Sequence, residues 1–556
     1  MPYTPPRYDP VIPDTSKHAS AEKTPILIIG AGPIGLTTAL DLGQRGHKVI
    51  VVTKATQLTD GSRAICFAKR PLEILDRLGV GEKMVEKGVG WNIGHVFYRH
   101  HKEPAYSFDL LPIKNQKMPA MINLQQYYNE EYMISALKAL PNVELRWGNS
   151  LIDLKNTDSG AIATLSTKAG PYKIEAEWVI ACDGSRSETR KMLNIDFHGE
   201  TFKDNFLIAD VKFKKDYPTE RHFWFDPEFN RDQSVLLHKQ PDDVWRVDFQ
   251  VGWDIDREAI VDPAHVRTRI EAMFGTDVEF EFEWISVYTF NCRRVETMVS
   301  KRVIFAGDSA HLVSPFGARG ANTGFQDADN IGWKLDLFLR GLADRRLIES
   351  YNEERLLAAD VNIMNSTRST DFITPKTPIS RHYRDAVLEL SRDLPGVRGF
   401  VNSGRLSTPV PYPRSSLNTS DDEDWSGGVA PGYDCIDAPL IKGGEKCWLL
   451  NQLGWHFTLV IFSNDQQWLK QIRPDLKRLE NKSITVKSII ISQSDLIETD
   501  FLLDQEGLAM KRYHAKEGSV YLIRPDQYVA ARWHEFNPEK IKQAVRTATA
   551  QTKKSI

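Results

Sequence analysis

Apolar positions along this chain follow two rhythms, and the switches between them mark its elements. Residues 26–29 form an unbroken apolar run, ILII, followed at once by GAGPIG and by LTTALDLGQRG, whose apolar positions recur at helical spacing. That order predicts a buried strand, a glycine turn and a helix. KVIVVTK and the run RVIFA, residues 302–306, repeat the buried-strand signal. Between residues 200 and 285 the rhythm changes to period two. In VWRVDFQV it would set Val244, Arg246, Asp248 and Gln250 on one sheet face and Trp245, Val247, Phe249 and Val251 on the other. Helical stretches follow, including YNEERLLAADVNIM and SRHYRDAVLELSRDL. From Leu406 to Gly444 Pro, Ser, Asp and Gly dominate, which predicts a connector. Beyond it CWLLNQLGWHFTLVIFS, ITVKSIIIS and GSVYLIRPDQYVAARW alternate short strands with helices, the last forming a hairpin that turns at Pro525, Asp526 and Gln527.

The expected organisation is therefore α/β: an arm over 1–23, a discontinuous Rossmann-like domain over 24–200 and 285–405, an interleaved β-rich substrate domain over 200–285, a linker over 406–444 and a further domain over 445–556. The length of 556 residues suits several well-filled cores, and 41% hydrophobic with 26% charged residues is ordinary for a soluble chain. A net charge of −3 supplies no basic field for nucleic acid. No apolar stretch reaches bilayer length, and the Pro-rich N-terminus lacks a signal-peptide core, so it reads as an arm lying on the surface or on a partner subunit. The five cysteines are scattered, without a C-x-x-C pair, and the histidines show no metal spacing. Free thiols in a cytoplasmic protein are expected, and no metal site.

Gly30, Gly32 and Gly35 keep the G-x-G-x-x-G spacing, with Pro33 opening the helix, so backbone N–H groups could approach a pyrophosphate at its positive end. Eighteen residues past Gly35, where an acidic residue normally holds a ribose, stands Thr53. Thr53 can hydrogen-bond a hydroxyl without charge assistance, and Lys54, Asp60 and Ser62 are substitutes. The second glycine-rich stretch is GDSAHLVSPFGARGAN. Asp308 ends a strand where a carboxylate can accept from a sugar hydroxyl, and Pro315, Phe316, Gly317 and Gly320 lead through Ala321 and Asn322 into a helix whose N-terminus would offer donors to a flavin's carbonyls.

These paired motifs resemble the single-component FAD-dependent aromatic hydroxylases, the family of para-hydroxybenzoate, phenol and 3-(3-hydroxyphenyl)propionate hydroxylases. ACDGSRSETRKML resembles the family's DG motif, placing Asp183 near the pyrophosphate and the nicotinamide path; the resemblance sets Arg63 and Gln126 at the flavin. It implies FAD as cofactor, NADH or NADPH and O2 as co-substrates, a small phenolic substrate hydroxylated through a flavin hydroperoxide, and a homodimer. The tail resembles the thioredoxin-like C-terminal domain of the phenol hydroxylase branch; without C-x-x-C it would pack or dimerise rather than do dithiol chemistry. A flavoprotein of this fold with other chemistry, or one keeping FAD without catalysis, is the alternative.

A phenol attacks best once ionised, so a proton acceptor is expected. The turn signal QPDD brings His238 beside the strand of Arg246 and Asp248; His238, Asp248 and Tyr288 are the catalytic candidates, and by resemblance Arg246 faces the flavin. Trp224, Asp226, His238, Phe290, Pro315 and Phe316 are the substrate candidates. Phenol hydroxylase carries a catalytic aspartate where this chain has Ile65. No pair of arginines marks an aromatic carboxylate, although Arg221, beside His222, could serve.

Overall fold

The computed structural model describes residues 3–14, 21–58, 64–217, 219–401, 406–422, 424–480, 482–496 and 500–551. Strand Glu22–Ile29 pairs in parallel with Val49–Thr53 on one side and with Gly170–Ala181 on the other, and the parallel set runs on to Val143–Trp147 and Val303–Phe305. Both faces of this sheet are covered, which is why its strands read as runs rather than alternations. Helix Pro33–Gln44 packs against it, and helix Gly320–Leu339 crosses that helix closely. A Cβ on Gly324 would lie 2.7 Å from Ile34 Cδ1, and one on Gly332 would lie 2.8 Å from Asp41 Oδ1. This close crossing brings the two glycine-rich motifs to one end of the sheet.

The period-two region builds a second, mostly antiparallel sheet. Its order is His311–Leu312, Phe280–Val295, Phe197–Phe213, Val244–Gly252, Ser234–Lys239, Arg221–Phe225, Ile93–Tyr98 and Tyr106–Asp109. It thus recruits strands from outside residues 200–285. One face carries Val247, Phe249 and Val235 and packs on helix Pro263–Phe274; the other carries Phe206, Leu236 and Phe290 and meets Phe316 of the glycine-rich loop. The turn between Lys239 and Val244 holds Asp242 at φ 63° and Asp243 at φ 54°, the left-handed conformation that aspartate tolerates. A small sheet of Cys66–Ala68, Met121–Asn123 and Val89–Trp91 bridges the two domains, with Asn123 Nδ2 donating to Lys239 O at 2.8 Å.

The C-terminal segment forms a third sheet, ordered Glu445–Trp448, Pro439–Lys442, Leu502–Leu503, Val486–Ser492, Phe457–Phe462, Val520–Ile523 and Val529–Trp533. The last two strands form the hairpin, turning through Pro525–Gln527 with Gln527 at φ 58°. That turn is locked into the first domain. Arg70 donates to Asp526 O and Gln527 Oε1, both at 2.7 Å, and to Asp329 at 2.9 Å. Arg524 grips Glu354 with two nitrogens at 2.6 and 2.9 Å, and Lys334 reaches the same carboxylate at 2.7 Å. The two cations hold the buried Glu354 carboxyl well below its usual range despite burial, whereas burial pulls Lys334 down to about 8. At the other end of the chain, the N-terminal arm lies on its own molecule, Tyr3 stacked on Tyr127 at 3.5 Å and Tyr8 on Trp147 at 4.2 Å.

Candidate active site

The first glycine motif is shaped for close backbone approach. Gly30 has φ +107°, and a Cβ there would sit 2.3 Å from Cys182 O; one on Gly35 would sit 1.9 Å from Gly30 O. Gly32 differs, because its Cβ would meet nothing within 4 Å. It is also the N-cap of helix Pro33–Gln44, with no side chain capping the helix. Open space in front of uncapped N–H groups fits a pyrophosphate. Gly184, at φ +82°, likewise faces open space, and Asp183 before it has both oxygens engaged by Ser187 and Thr189 at 2.6–2.9 Å. Asp183 therefore braces the turn from within. Thr53 ends its strand with Oγ1 accepting from Ala55 N at 3.3 Å, and Lys54 is exposed. Arg63, Asp60 and Ser62 lie outside the described residues.

The second motif is held by a residue the sequence did not single out for a role. Asp327, fully buried, accepts from Gly307 N at 2.9 Å, His311 Nε2 at 2.7 Å and Arg355 Nε at 2.6 Å. Burial alone would raise its pKa; His311 and Arg355 outweigh it and keep the carboxylate ionised. The turn is thereby fixed with Asp308 exposed at its tip. Helix Gly320–Leu339 starts without a side-chain cap, so its first N–H groups, from Gly320 and the half-buried Ala321 onward, suit a flavin's carbonyl edge. Pro315 is exposed and Phe316 buried beside it. Asn322 accepts from Ala68 N at 3.0 Å and donates to Cys66 O at 2.8 Å, tying the bridging sheet to this helix. Gln126 is engaged in the same manner, accepting from Ala64 N at 3.2 Å and donating to Glu130 at 2.8 Å.

On the facing sheet, register aligns a row of charge. Asp210 sits opposite Arg246, and Arg246 opposite His238; the next strand starts at Arg221. Arg246 donates to Asp210 through Nε and Nη2, both at 2.8 Å, and lies over the Trp284 ring at 5.5 Å. His238 is 2% exposed, with Nε2 3.5 Å from Asp248 Oδ2. Burial and then the charge of Arg221 push its pKa down to about 4, against the pull of Asp248. His238 Nδ1, Asp248 Oδ1 and Arg221 Nη1 are buried without hydrogen-bond partners. Arg221, Phe223 and Phe225 turn toward a cavity of about 60 Å3 shared with Val96, Phe316 and Gly317.

Several candidates fall elsewhere. Trp224 stacks on Phe97 at 5.2 Å on the opposite face of the sheet, because side chains alternate along a strand, so it does not line this cavity. Asp226 is a turn residue at φ 50°, accepting from Asp232 N at 2.7 Å and facing Arg99 at 3.2 Å. Tyr288 is 43% exposed, with its ring 5.5 Å from Phe290, outside the enclosed cluster. Phe290 packs between Phe206 and Phe316 at 5.1 and 5.2 Å as a wall behind the loop. Ile65 is buried and offers no acid. Arg221, which the sequence offered as a partner for a carboxylate, lies at this cavity, whereas Asp210, the partner of Arg246, emerges only from strand register.

Residues 23–366 match the family described as FAD binding domain. Over 516 residues, 91% of each chain, the protein is 26% identical to 3-(3-hydroxy-phenyl)propionate/3-hydroxycinnamic acid hydroxylase of Shigella sonnei. It is 29% identical over 379 residues, 66% of this chain and 73% of the other, to 12-dehydrotetracycline 5-monooxygenase/anhydrotetracycline 6-monooxygenase of Streptomyces rimosus. Among solved structures, the flavin-dependent monooxygenase PieE in complex with FAD and substrate superposes with a TM-score of 0.80 at 20% identity, covering 96% of this chain and all of that one. Aklavinone-11 hydroxylase with FAD and aklavinone gives 0.77 over the same shares, again at 20% identity. With a matched region that takes in both glycine motifs and the cradle between them, the chain belongs to the FAD-binding domain family.

Proposed function

We propose that this protein is an FAD-dependent monooxygenase that hydroxylates a phenolic ring, with O2 and NADH or NADPH as co-substrates. The observation that carries this reading is the buried His238–Asp248 pair on the same sheet face as Arg221, which lines an aromatic cavity together with Phe316 and Gly317 of the cofactor-side loop. Relatives named as hydroxylases and monooxygenases support it. When bound, FAD supplies the redox and oxygen-activating chemistry. This chain supplies placement and proton handling.

Gly32, the N-terminus of helix Pro33–Gln44, Asp308 and the start of helix Gly320–Leu339 would hold the cofactor. Ionising a phenol of pKa about 10 near pH 7 requires roughly 4 kcal/mol. His238 is neutral at that pH, and Asp248 beside Nε2 favours the tautomer that leaves Nδ1 free as the acceptor of the phenolic proton. Asp248 then steadies the imidazolium. The aromatic lining keeps water out. Its 60 Å3 is below the roughly 150 Å3 that admits a benzene ring, so the substrate displaces part of the lining as it enters.

The reading extends to a cytoplasmic homodimer with a thioredoxin-like C-terminal domain that serves packing. Support comes from five unpaired cysteines, from the absence of a helix long and apolar enough to cross a membrane among the described residues, and from the absence of C-x-x-C. The test is NADH or NADPH oxidation by the FAD-loaded protein across a panel of phenols under isotopically labelled O2. A hydroxylated product carrying the label is expected, with peroxide yield falling when the right phenol is present. Rapid oxidation indifferent to every phenol, ending in peroxide alone, would overturn the proposal.

A further inference from the structure

Residues 3–14 run along the protein as a strap with a consistent inner side. Tyr3, Tyr8, Val11 and the prolines of this stretch are half-buried, while Arg7, Asp9 and Asp14 face solvent. The prolines favour an extended backbone, so the strap costs little entropy to lay down. Its anchors converge on one place. Tyr8 N donates to Thr56 O at 2.8 Å, and Arg7 forms an antiparallel bridge with Gln57. Val11 N donates to Trp147 O at 2.9 Å, and the Tyr8 ring stacks on Trp147. Asn149, fully buried, ties the two sides together: Nδ2 donates to Val11 O at 2.8 Å, and its backbone N donates to Thr53 O at 2.8 Å. Gly148 N completes the set with a bond to Ala55 O at 3.0 Å. The free end is fastened as well, with Tyr3 Oη donating to Glu131 at 2.6 Å and Tyr3 N to Glu283 of the substrate-side sheet at 3.2 Å.

The gripped segment, residues 53–57, follows the second parallel strand, where a fold of this kind holds the ribose of an adenosine. The acidic residue that would anchor that ribose by charge is missing: Thr53 stands there, and its Oγ1 already accepts from Ala55 N. Affinity at this end therefore depends on the segment being held in one shape before the cofactor arrives, because a loop that must be ordered on binding subtracts its lost entropy from the affinity. The strap supplies that order, directly at Thr56 and through Trp147 and Asn149 at Thr53. We propose that the N-terminal arm is a retention strap for the adenosine half of FAD, which preorganises residues 53–57 and so raises the preference of the site for FAD over FMN. The arm is a positioning element that acts through this segment. The proposal requires that the cradle hold FAD, and does not require that a phenol be hydroxylated.

The test compares the full-length protein, stripped of flavin, with a chain lacking residues 1–14 and with Tyr8→Ala, which keeps the arm but removes its stack on Trp147. Dissociation constants are read by fluorescence quenching for FAD and FMN and by calorimetry for ADP, none of which needs turnover. Ordering even one residue on binding is worth about a factor of 10, so the shortened chain should bind FAD and ADP roughly 10-fold or more weakly, with FMN affinity within about 2-fold of the parent's. Release of FAD after dilution should be faster in the same proportion. Tyr8→Ala should show part of this loss, again confined to the ligands that carry adenosine. Unchanged FAD affinity in the shortened chain overturns the proposal. So does a loss shared equally by FAD and FMN, since the arm would then support the fold as a whole. If the shortened chain does not fold, the FAD-to-FMN ratio of Tyr8→Ala decides, and a ratio equal to the parent's overturns the proposal. The two readings fail separately: a protein that retains FAD through its arm but hydroxylates no phenol sinks the monooxygenase reading alone, whereas a hydroxylase whose FAD affinity ignores the arm sinks this one alone.

Discussion

Alanine at Gly32 and alanine at Gly35 add the same methyl group three residues apart, and the structure assigns them opposite failures. Gly32 is extended, with φ −80° and ψ −177°, so any residue adopts its backbone, and the new Cβ meets nothing within 4 Å. Replacing an N-cap glycine by alanine costs the apoprotein no more than about 1 kcal/mol. The methyl projects into the space a pyrophosphate would fill, and each charge-assisted N–H bond it prevents is worth about 1.5–3 kcal/mol, or roughly 10- to 200-fold in affinity. At Gly35 the Cβ would lie 1.9 Å from Gly30 O and 3.3 Å from Cys182 Cβ. Relieving that overlap displaces the turn against the helix, at a cost of roughly 3 kcal/mol or more. Urea unfolding of the two apoproteins and FAD titration by fluorescence quenching separate the effects. Gly32→Ala should unfold near the parent midpoint yet bind FAD at least 10-fold more weakly, whereas Gly35→Ala should lose stability before any cofactor is added. If Gly32→Ala binds FAD like the parent, or unfolds as early as Gly35→Ala, the cradle has been misplaced.

Asp308→Ala should purify with little flavin and a stable fold, because the carboxylate is exposed at the turn while Asp327 does the bracing; unchanged FAD affinity in titration would sink the assignment. His238 has a folded pKa of about 4 against 6.5 unfolded, so the unfolded chain binds the extra proton between those values and stability falls as pH drops from 6.5 toward 4, by about 3 kcal/mol in all. His238→Gln should flatten that part of the urea-midpoint profile, and a slope identical to the parent's would show that the histidine is not buried and neutral. His238→Ala should leave flavin reduction intact and slow hydroxylation by roughly 10²–10⁴-fold, less at high pH where the phenol ionises unaided; parent-like rates at pH 7 would exclude it as the base. Glu354→Gln leaves Arg524 and Lys334 facing a neutral amide and should cost about 3–5 kcal/mol in unfolding free energy; a change under 1 kcal/mol would mean the network contributes nothing.

The elements whose pattern is set locally were legible in the sequence. ILII-GAGPIG carries strand, turn and helix within one short stretch, and VWRVDFQV assigns its own faces because every second residue is large and apolar. RHFWF does neither. Its aromatic residues suit both faces, so the phase that turns Phe223 and Phe225 to the cavity and Trp224 away from it depends on which neighbouring strand it pairs with. Asp210 was invisible for a related reason, since only the register between distant strands sets it against Arg246. Asn322 and Gln126 show a different limit: an amide that can serve a ligand can equally tie backbone to backbone, and here both are engaged within the protein.

The clasp between Arg70 and the turn at Asp526 has a consequence for how this protein comes to exist. Helix Gly320–Leu339, whose first turn is placed to serve the flavin, also carries Lys334 and Asp329, and Glu354 follows in the next helix. Lys334 and Glu354 find each other early, but the second cation on Glu354, Arg524, is synthesised 170 residues later, together with the backbone that completes Arg70's partners. During translation the nucleotide-binding half is therefore long present with its clasp open and with Lys334 as the one cation on Glu354. The order of synthesis makes the C-terminal hairpin the step that finishes the cofactor domain, so a nascent chain halted before Arg524 should hold FAD poorly even though every residue of the cradle has already left the ribosome.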